Sequence, residues 1–167
     1  VRERYGFEPA ALRPLASFQD QNVRVADPAG RRFVLKIANA GADPAALDLQ
    51  NCALAHLAGQ ATGFALPELV PSLSGAEMFV AEHAGAAHLV RMLTYLPGQV
   101  LAQATRAPTA ELLAALGRCA GSLVRSLQSF SHPAGDTPGQ WDLQHAPAVI
   151  EALLPYVHDH ATRALVE

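Results

Sequence analysis

The sequence predicts an α+β protein: a mostly antiparallel sheet of five or six strands with one inserted helix, then a helical region. Three observations carry this. Phe33-Val34-Leu35-Lys36-Ile37 alternates with period two, the mark of a strand. Between Asp43 and Gly59 the apolar residues Leu47, Leu54, Leu57 and Ala58 recur at helical spacing, with strand signals on both sides. Beyond Leu96-Pro97-Gly98-Gln99 strand signals stop and helical spacing takes over.

The elements follow in order. Val1 to Gly6 reads as the tail of a helix closed by glycine. Ala11 to Phe18 is a strand interrupted by Pro14, hence an edge strand. The polar run Ser17-Phe18-Gln19-Asp20-Gln21-Asn22 reads as a turn, and Val23-Arg24-Val25 as a second strand. Asp27-Pro28-Ala29-Gly30 is a tight turn into the strand that bears Lys36. Asp43 caps the inserted helix and Pro44 takes its first position. Pro67 to Leu73 is a short strand. Glu77 to Glu82 and His88 to Tyr95 form two more, joined through Ala84-Gly85-Ala86-Ala87. Thr109 caps a long helix to about Phe130, with Leu112, Leu116, Ala120, Leu123 and Leu127 on one face. A Pro- and Gly-rich loop follows, and a helical region broken near Pro155 runs to the end. The composition shift at Pro97 divides the chain into residues 1–96 and 97–167. Both termini fall within helical patterns, so the chain is expected to be a fragment of a longer protein.

Composition narrows the function classes. Half of the 167 residues are hydrophobic and the net charge is −3 without a basic run, which argues against a nucleic-acid partner. No apolar run is long enough for a membrane span. Cys52 and Cys119 stand far apart outside any C-x-x-C, the usage of a reducing compartment, so a cytoplasmic location is expected. His158 and His160, two apart, fall on different helix faces and make a poor metal pair. Trp141 falls in the loop region and is expected to fill a junction of helices, and His56 to be a surface residue.

The chemistry centres on Lys36. Its strand places Phe33, Leu35 and Ile37 on a fully apolar face and Val34, Lys36 and Ala38 on the other. A cation on that second face could serve a phosphate as a point charge, although a strand lysine snorkelling to water would read the same.

A lysine on the third strand, then a helix, further strands, a short hinge and a helical lobe is the layout of the protein-kinase-like fold. The chain resembles the aminoglycoside phosphotransferase and choline kinase superfamily. Within it the chain is most similar to the hydroxylysine kinase group, whose members occur alone or joined to class III aminotransferase modules. Ser17 to Asn22, Phe33 to Asn39, Asp48 to Asn51, Leu89 to Gly98 and Trp141 to Pro147 carry the resemblance.

The resemblance implies a nucleotide-binding amino-terminal lobe followed by the first helices of an α-helical lobe. Ser17, Gln19, Asp20, Gln21 and Asn22 would lie over the phosphates, without the glycines protein kinases use there. Lys36 would contact the α- and β-phosphates of ATP or GTP, held with Mg²⁺. Thr94, Tyr95 and Leu96 would form the hinge, the Thr94 carbonyl and Leu96 N–H pairing with the base. Kinase-like folds place a Glu on the inserted helix to hold the strand lysine. Here Gln50 is expected to face Lys36, because it falls within the Leu47, Leu54 and Leu57 stripe. Asp48 lies roughly 150° away from that stripe at about 100° per residue.

One departure is decisive. The superfamily places its base and metal ligands in a His-x-Asp-x-x-x-x-Asn loop followed by a second Asp, and none of the seven histidines here begins one. The metal ligands and the remaining kinase lobe are expected beyond this chain, in the same polypeptide. The fragment alone is expected to be inactive, with no catalytic residue of its own. The whole would phosphorylate a small-molecule acceptor, a hydroxyl on an amino-containing metabolite such as hydroxylysine. The alternative is a non-catalytic kinase-like binding or regulatory module attached to another enzyme, such as an aminotransferase.

Overall fold

A computed structural model describes residues 1–136 and 143–166. Its sheet has six strands: β1 (Ala11–Leu15), β2 (Gln21–Ala26), β3 (Arg32–Ile37), β4 (Leu69–Val70), β5 (Phe79–His83) and β6 (Ala86–Thr94). The order is β1-β2-β3-β6-β4, β5 also pairs with β6, and every pairing is antiparallel. The expected α+β kinase-like layout is the observed one. Pro14 is tolerated because β1 is an edge strand, where a missing N–H costs no ladder bond.

Several boundaries shift. β2 begins at Gln21, so the polar turn shrinks to residues 16–20 and Asn22 belongs to the sheet. The expected strand from Pro67 to Leu73 narrows to two residues. The β5–β6 turn is two residues, not four: Ala84 and Gly85 carry φ of 51° and 80°, the positive values a tight hairpin turn requires.

Register sorts the side chains, since directly opposed residues share a face. One face joins Val23, Leu35, Met92 and Val70, next to Val25 and Phe33. Val25 and Met92 are fully buried there, and Phe33 nearly so. The amino terminus covers this core. The short helix α1 (Arg2–Tyr5) sets Tyr5 against Phe79, and Phe7 lies 5.6 Å from Phe33, ring to ring. Gly6 ends α1 at φ 75°, and a Cβ there would come within 3.2 Å of Leu73.

The opposite face carries α2 (Pro44–Ala58). Asp43 caps it, its carboxylate accepting from the Ala45 N–H at 2.9 Å, and Pro44 follows as expected. Leu47, Asn51 and Leu57 are buried beneath it. Asn51 rather than Gln50 is the polar residue sunk in the stripe, and Ala58 is exposed.

Thr109 caps α3 (Ala110–Leu127), accepting from Leu112 N–H at 3.2 Å. Its later turns meet the α2 region: Ser122 Oγ donates to the Thr62 carbonyl and His56 Nε2–H to that of Ser126. His56 is therefore a contact residue, not a plain surface one. Leu112, Leu113 and Leu116 stay exposed.

By its contacts the chain forms two compact units, residues 1–133 and 134–167. The first takes α3 with the sheet. The second contains α4 (Ala146–Leu153) and α5 (His160–Val166), with short 3₁₀ turns at Leu143–His145 and Leu154–Tyr156. Trp141 lies outside the described residues. Among the described residues no helix is long and apolar enough to cross a membrane.

Candidate functional site

The face of the sheet under α2 is cationic, despite the negative net charge of the chain. Register aligns Arg13 with Arg24 and Val34, and Leu15 with Asn22, Lys36 and Arg91. Lys36 and Arg91 are direct cross-strand neighbours on β3 and β6.

Lys36 Nζ donates to Asn22 Oδ1 at 2.9 Å, and Asn22 Nδ2 donates to Ser17 Oγ at 3.1 Å. The lysine is thereby tied through β2 to the turn at residues 16–20. Burial lowers the Lys36 pKa; the Asp20 carboxylate opposes that shift and the Arg91 charge adds to it.

Arg91 is 3% exposed. One terminal nitrogen donates to the Leu47 carbonyl at 3.3 Å and to Asn51 Oδ1, the other to Gln50 Oε1. All three acceptors are neutral and all lie on α2. Burial lowers the Arg91 pKa, with Asp20 opposing. Among the described residues neither Lys36 nor Arg91 makes an ion pair.

This corrects one expectation. Gln50 bonds Arg91, not Lys36: its carbonyl accepts from one terminal nitrogen of the guanidinium, while Lys36 Nζ donates to Asn22. Asp48 does turn away from the sheet, and its carboxylate meets His132 at 3.1 Å.

The remaining predicted residues divide. Gln19 and Asp20 line a cavity of about 380 Å³ with Asn39, Asp43, Leu47 and Gln50, beside the start of α2. Asp20 Oδ1 accepts from Asn39 N–H at 3.4 Å. Ser17 and Asn22 join Lys36. Gln21 does not: it opposes Ile37 and so lies on the other face of the sheet.

At the far end of the same face, Tyr95 N–H donates to the Arg32 carbonyl and Thr94 N–H to that of Glu68. Those bonds fix the end of β6, where the hinge is expected. Leu96 N–H has no partner among the described residues, and Leu96 borders a cavity of about 750 Å³ with Arg13, Leu15, Arg24, Tyr95 and Val100. The guanidiniums of Arg24 and Arg32 each lie over the Tyr95 ring, at 5.7 and 5.2 Å. From Arg32 to Lys36, β3 advances roughly 13 Å at the usual rise per residue.

Arg91 and Asn51 are the residues that sequence reasoning missed. Their signal was present: an arginine inside the apolar Leu89-Val90-Arg91-Met92-Leu93 run, and an asparagine one turn after Leu47.

Comparison with known proteins agrees with this layout. Residues 11–166 match the phosphotransferase enzyme family. A hydroxylysine kinase of Danio rerio is 36% identical over 143 residues, 80% of this chain and 38% of that protein. One from Mus musculus is 29% identical over all of this chain and 48% of its own length. The chain thus spans about half, or less, of the curated relatives it matches. Among solved structures, the amicoumacin kinase hAmiN in complex with AMP-PNP, Ca²⁺ and Ami superposes with a TM-score of 0.67 at 20% identity, over 90% of this chain and 45% of that one. A microcompartment-associated aminopropanol kinase gives 0.66 at 19%, over 91% and 53%. At such identities the likeness speaks for the fold, the kinase-like one described above. The sequence match over nearly the whole chain is what decides descent: this chain belongs to the phosphotransferase enzyme family.

Proposed function

We propose that this chain is the nucleotide-binding portion of a small-molecule kinase that uses ATP or GTP. The observation that carries the reading is the pair Lys36 and Arg91, two adjacent cations with no carboxylate bonded to either among the described residues. Buried charge without a counter-ion is costly, and a polyanion with several acceptor oxygens would relieve it. Lys36 has donors to spare beyond its bond to Asn22, while the fork of Arg91 is committed to α2. Lys36 therefore contacts phosphate directly, and Arg91 adds its field and holds α2 in place. Ser17, Gln19 and Asp20 flank the phosphates. The base sits in the hinge cavity, where Leu96 N–H can donate to its edge.

Kinases of this fold hold their nucleotide with Mg²⁺. Asp20 does not fit as its ligand set: it is one carboxylate, bonded to Asn39 N–H and facing two cations. In this reading the metal ligands and the base lie in the remaining lobe of the same polypeptide. The 167 residues alone then bind nucleotide without transferring phosphate. The relatives named hydroxylysine kinase favour an amino-containing hydroxyl compound as the acceptor of the whole enzyme.

Calorimetric titration of the chain with ATP and GTP tests the reading, beside a turnover assay over a panel of amino alcohols. Saturable binding that weakens about tenfold or more in Lys36→Met is expected, in line with the loss of a charge-assisted contact. Binding that ignores Lys36→Met would sink it. Turnover by the chain that Lys36→Ala abolishes would refute the inactive-fragment part.

A further inference from the structure

We propose a zinc-binding site on the outer side of α2, formed by Asp48, Cys52 and His132. It stands independently of the nucleotide reading. Asp48 and Cys52 are one helical turn apart, so they share a face, about 100° round the helix from the buried Leu47 and Asn51. His132 reaches the same spot from the segment after α3. One ligand atom from each of the three lies within 4.8 Å of the other two. His132 Nε2 and Asp48 Oδ2 already lie 3.1 Å apart.

Tetrahedral zinc with bonds of about 2.0–2.3 Å needs its ligand atoms roughly 3.5 Å apart, so side-chain rotation closes what remains. The donor set is one thiolate, one imidazole and one carboxylate. That mixture suits Zn²⁺ and excludes Mg²⁺ and Ca²⁺, which avoid sulfur. On binding, the Cys52 thiol gives its proton to solvent as the Zn–S bond forms. The surroundings are partly preformed. The His132 ring stacks on Phe130 at 6.4 Å and 14°, and its side chain is 12% exposed. Asp48, 60% exposed, leaves a side open for a water as the fourth ligand.

The consequence reaches the sheet. Asp48 and Cys52 sit on the same two turns of α2 whose inner side presents Gln50 and Asn51 to Arg91. A metal bridging those turns to the segment after α3 would hold the helix from outside at the level where Arg91 holds it from inside.

Cobalt substitution tests this on the full chain. Co²⁺ should bind at one equivalent with a thiolate-to-cobalt charge-transfer absorption, and Zn²⁺ should displace it while excess Mg²⁺ does not. The band should vanish in Cys52→Ser and persist in Cys119→Ser. Asp48→Asn, at an exposed position that does not threaten folding, should weaken binding by at least about tenfold, the scale on which metal sites lose affinity. Zn²⁺ should raise the melting temperature of the wild type and not of Cys52→Ser. No charge-transfer band, a band that depends on Cys119, or equal affinity for wild type and Asp48→Asn would each overturn the proposal.

Discussion

Replacing Arg91 by Met should destabilise the protein, whereas the same change at Lys36 should not. The magnitudes follow from what each cation holds. Arg91 is 3% exposed and satisfies Asn51 Oδ1, Gln50 Oε1 and the Leu47 carbonyl. Methionine fills much of the volume but leaves these acceptors unpaired. Asn51, 2% exposed, cannot turn to water, and a stranded buried group costs about 1–3 kcal/mol. Gln50 borders an open cavity and can rehydrate. Against this stands relief from burying a charge, which offsets part of the loss. The net is about 1–2 kcal/mol, since stranding a buried polar group outweighs the partial relief. At this chain length that is a fall of roughly 2–8 °C in Tm. Among the described residues Lys36 makes one side-chain bond, to Asn22, and its ammonium is disfavoured by burial and by Arg91, with Asp20 opposing. Lys36→Met should therefore change stability by under about 1 kcal/mol, in either direction. Urea unfolding followed by circular dichroism measures both. Both variants should lose nucleotide affinity. Asn51→Ala should follow Arg91→Met in stability, and Gln50→Ala should lose less. An unchanged midpoint in Arg91→Met, or a collapse in Lys36→Met, would mean that the roles of the two cations are reversed.

Three further outcomes are expected. The Lys36 pKa is lowered below 10.5 in the folded chain. Between the folded and unfolded values the unfolded chain binds the extra proton, so stability rises with pH across that window, while nucleotide affinity falls as the ammonium is lost; Lys36→Arg should remove both trends, and a titration in which it does not would assign them elsewhere. The Tyr5 hydroxyl is buried without a partner among the described residues, and burial pushes its pKa to about 12. Tyr5→Phe should leave stability unchanged or raise it by up to about 1 kcal/mol, and a clear loss in the urea midpoint would reveal a partner for the hydroxyl. Burial pushes the Asp27 pKa up, but the Arg31 side chain and N–H outweigh it and hold the carboxyl low. Asp27 therefore contributes stability above its unfolded pKa that is lost as pH falls through the folded one, and Asp27→Asn should flatten the acid limb of the stability profile in that range.

Period-two and helical patterns are local, and what depended on them was legible in the sequence. The alternation from Phe33 to Ile37, the Asp43-Pro44 start of α2 and the proline in an edge strand all reappear where they were read. The site was legible only as far as one element at a time could show it. The α2 stripe correctly turns Asp48 away from the sheet. Which cation then meets Gln50 depends on the register of β3 against β6, a pairing across more than fifty residues that no local pattern encodes. Gln21 was misplaced for a related reason. Read as part of a turn, it had no face; as the first residue of β2 it acquires one, opposite to that of Lys36.

The same register bears on why the helix carries Gln and Asn where kinase-like folds carry Glu. A carboxylate at position 50 would meet Arg91 first and neutralise it, since that fork already occupies the Gln50 carbonyl. The positive field under Lys36 would then shrink. Neutral amides satisfy the geometry of the guanidinium and leave its charge in play. Gln50→Glu should accordingly stabilise the fold while weakening nucleotide binding. Urea midpoints and calorimetric affinities on the same preparations separate the two effects. If Gln50→Glu tightens binding instead, the charge of Arg91 does not serve the phosphates, and its place beneath α2 is structural alone.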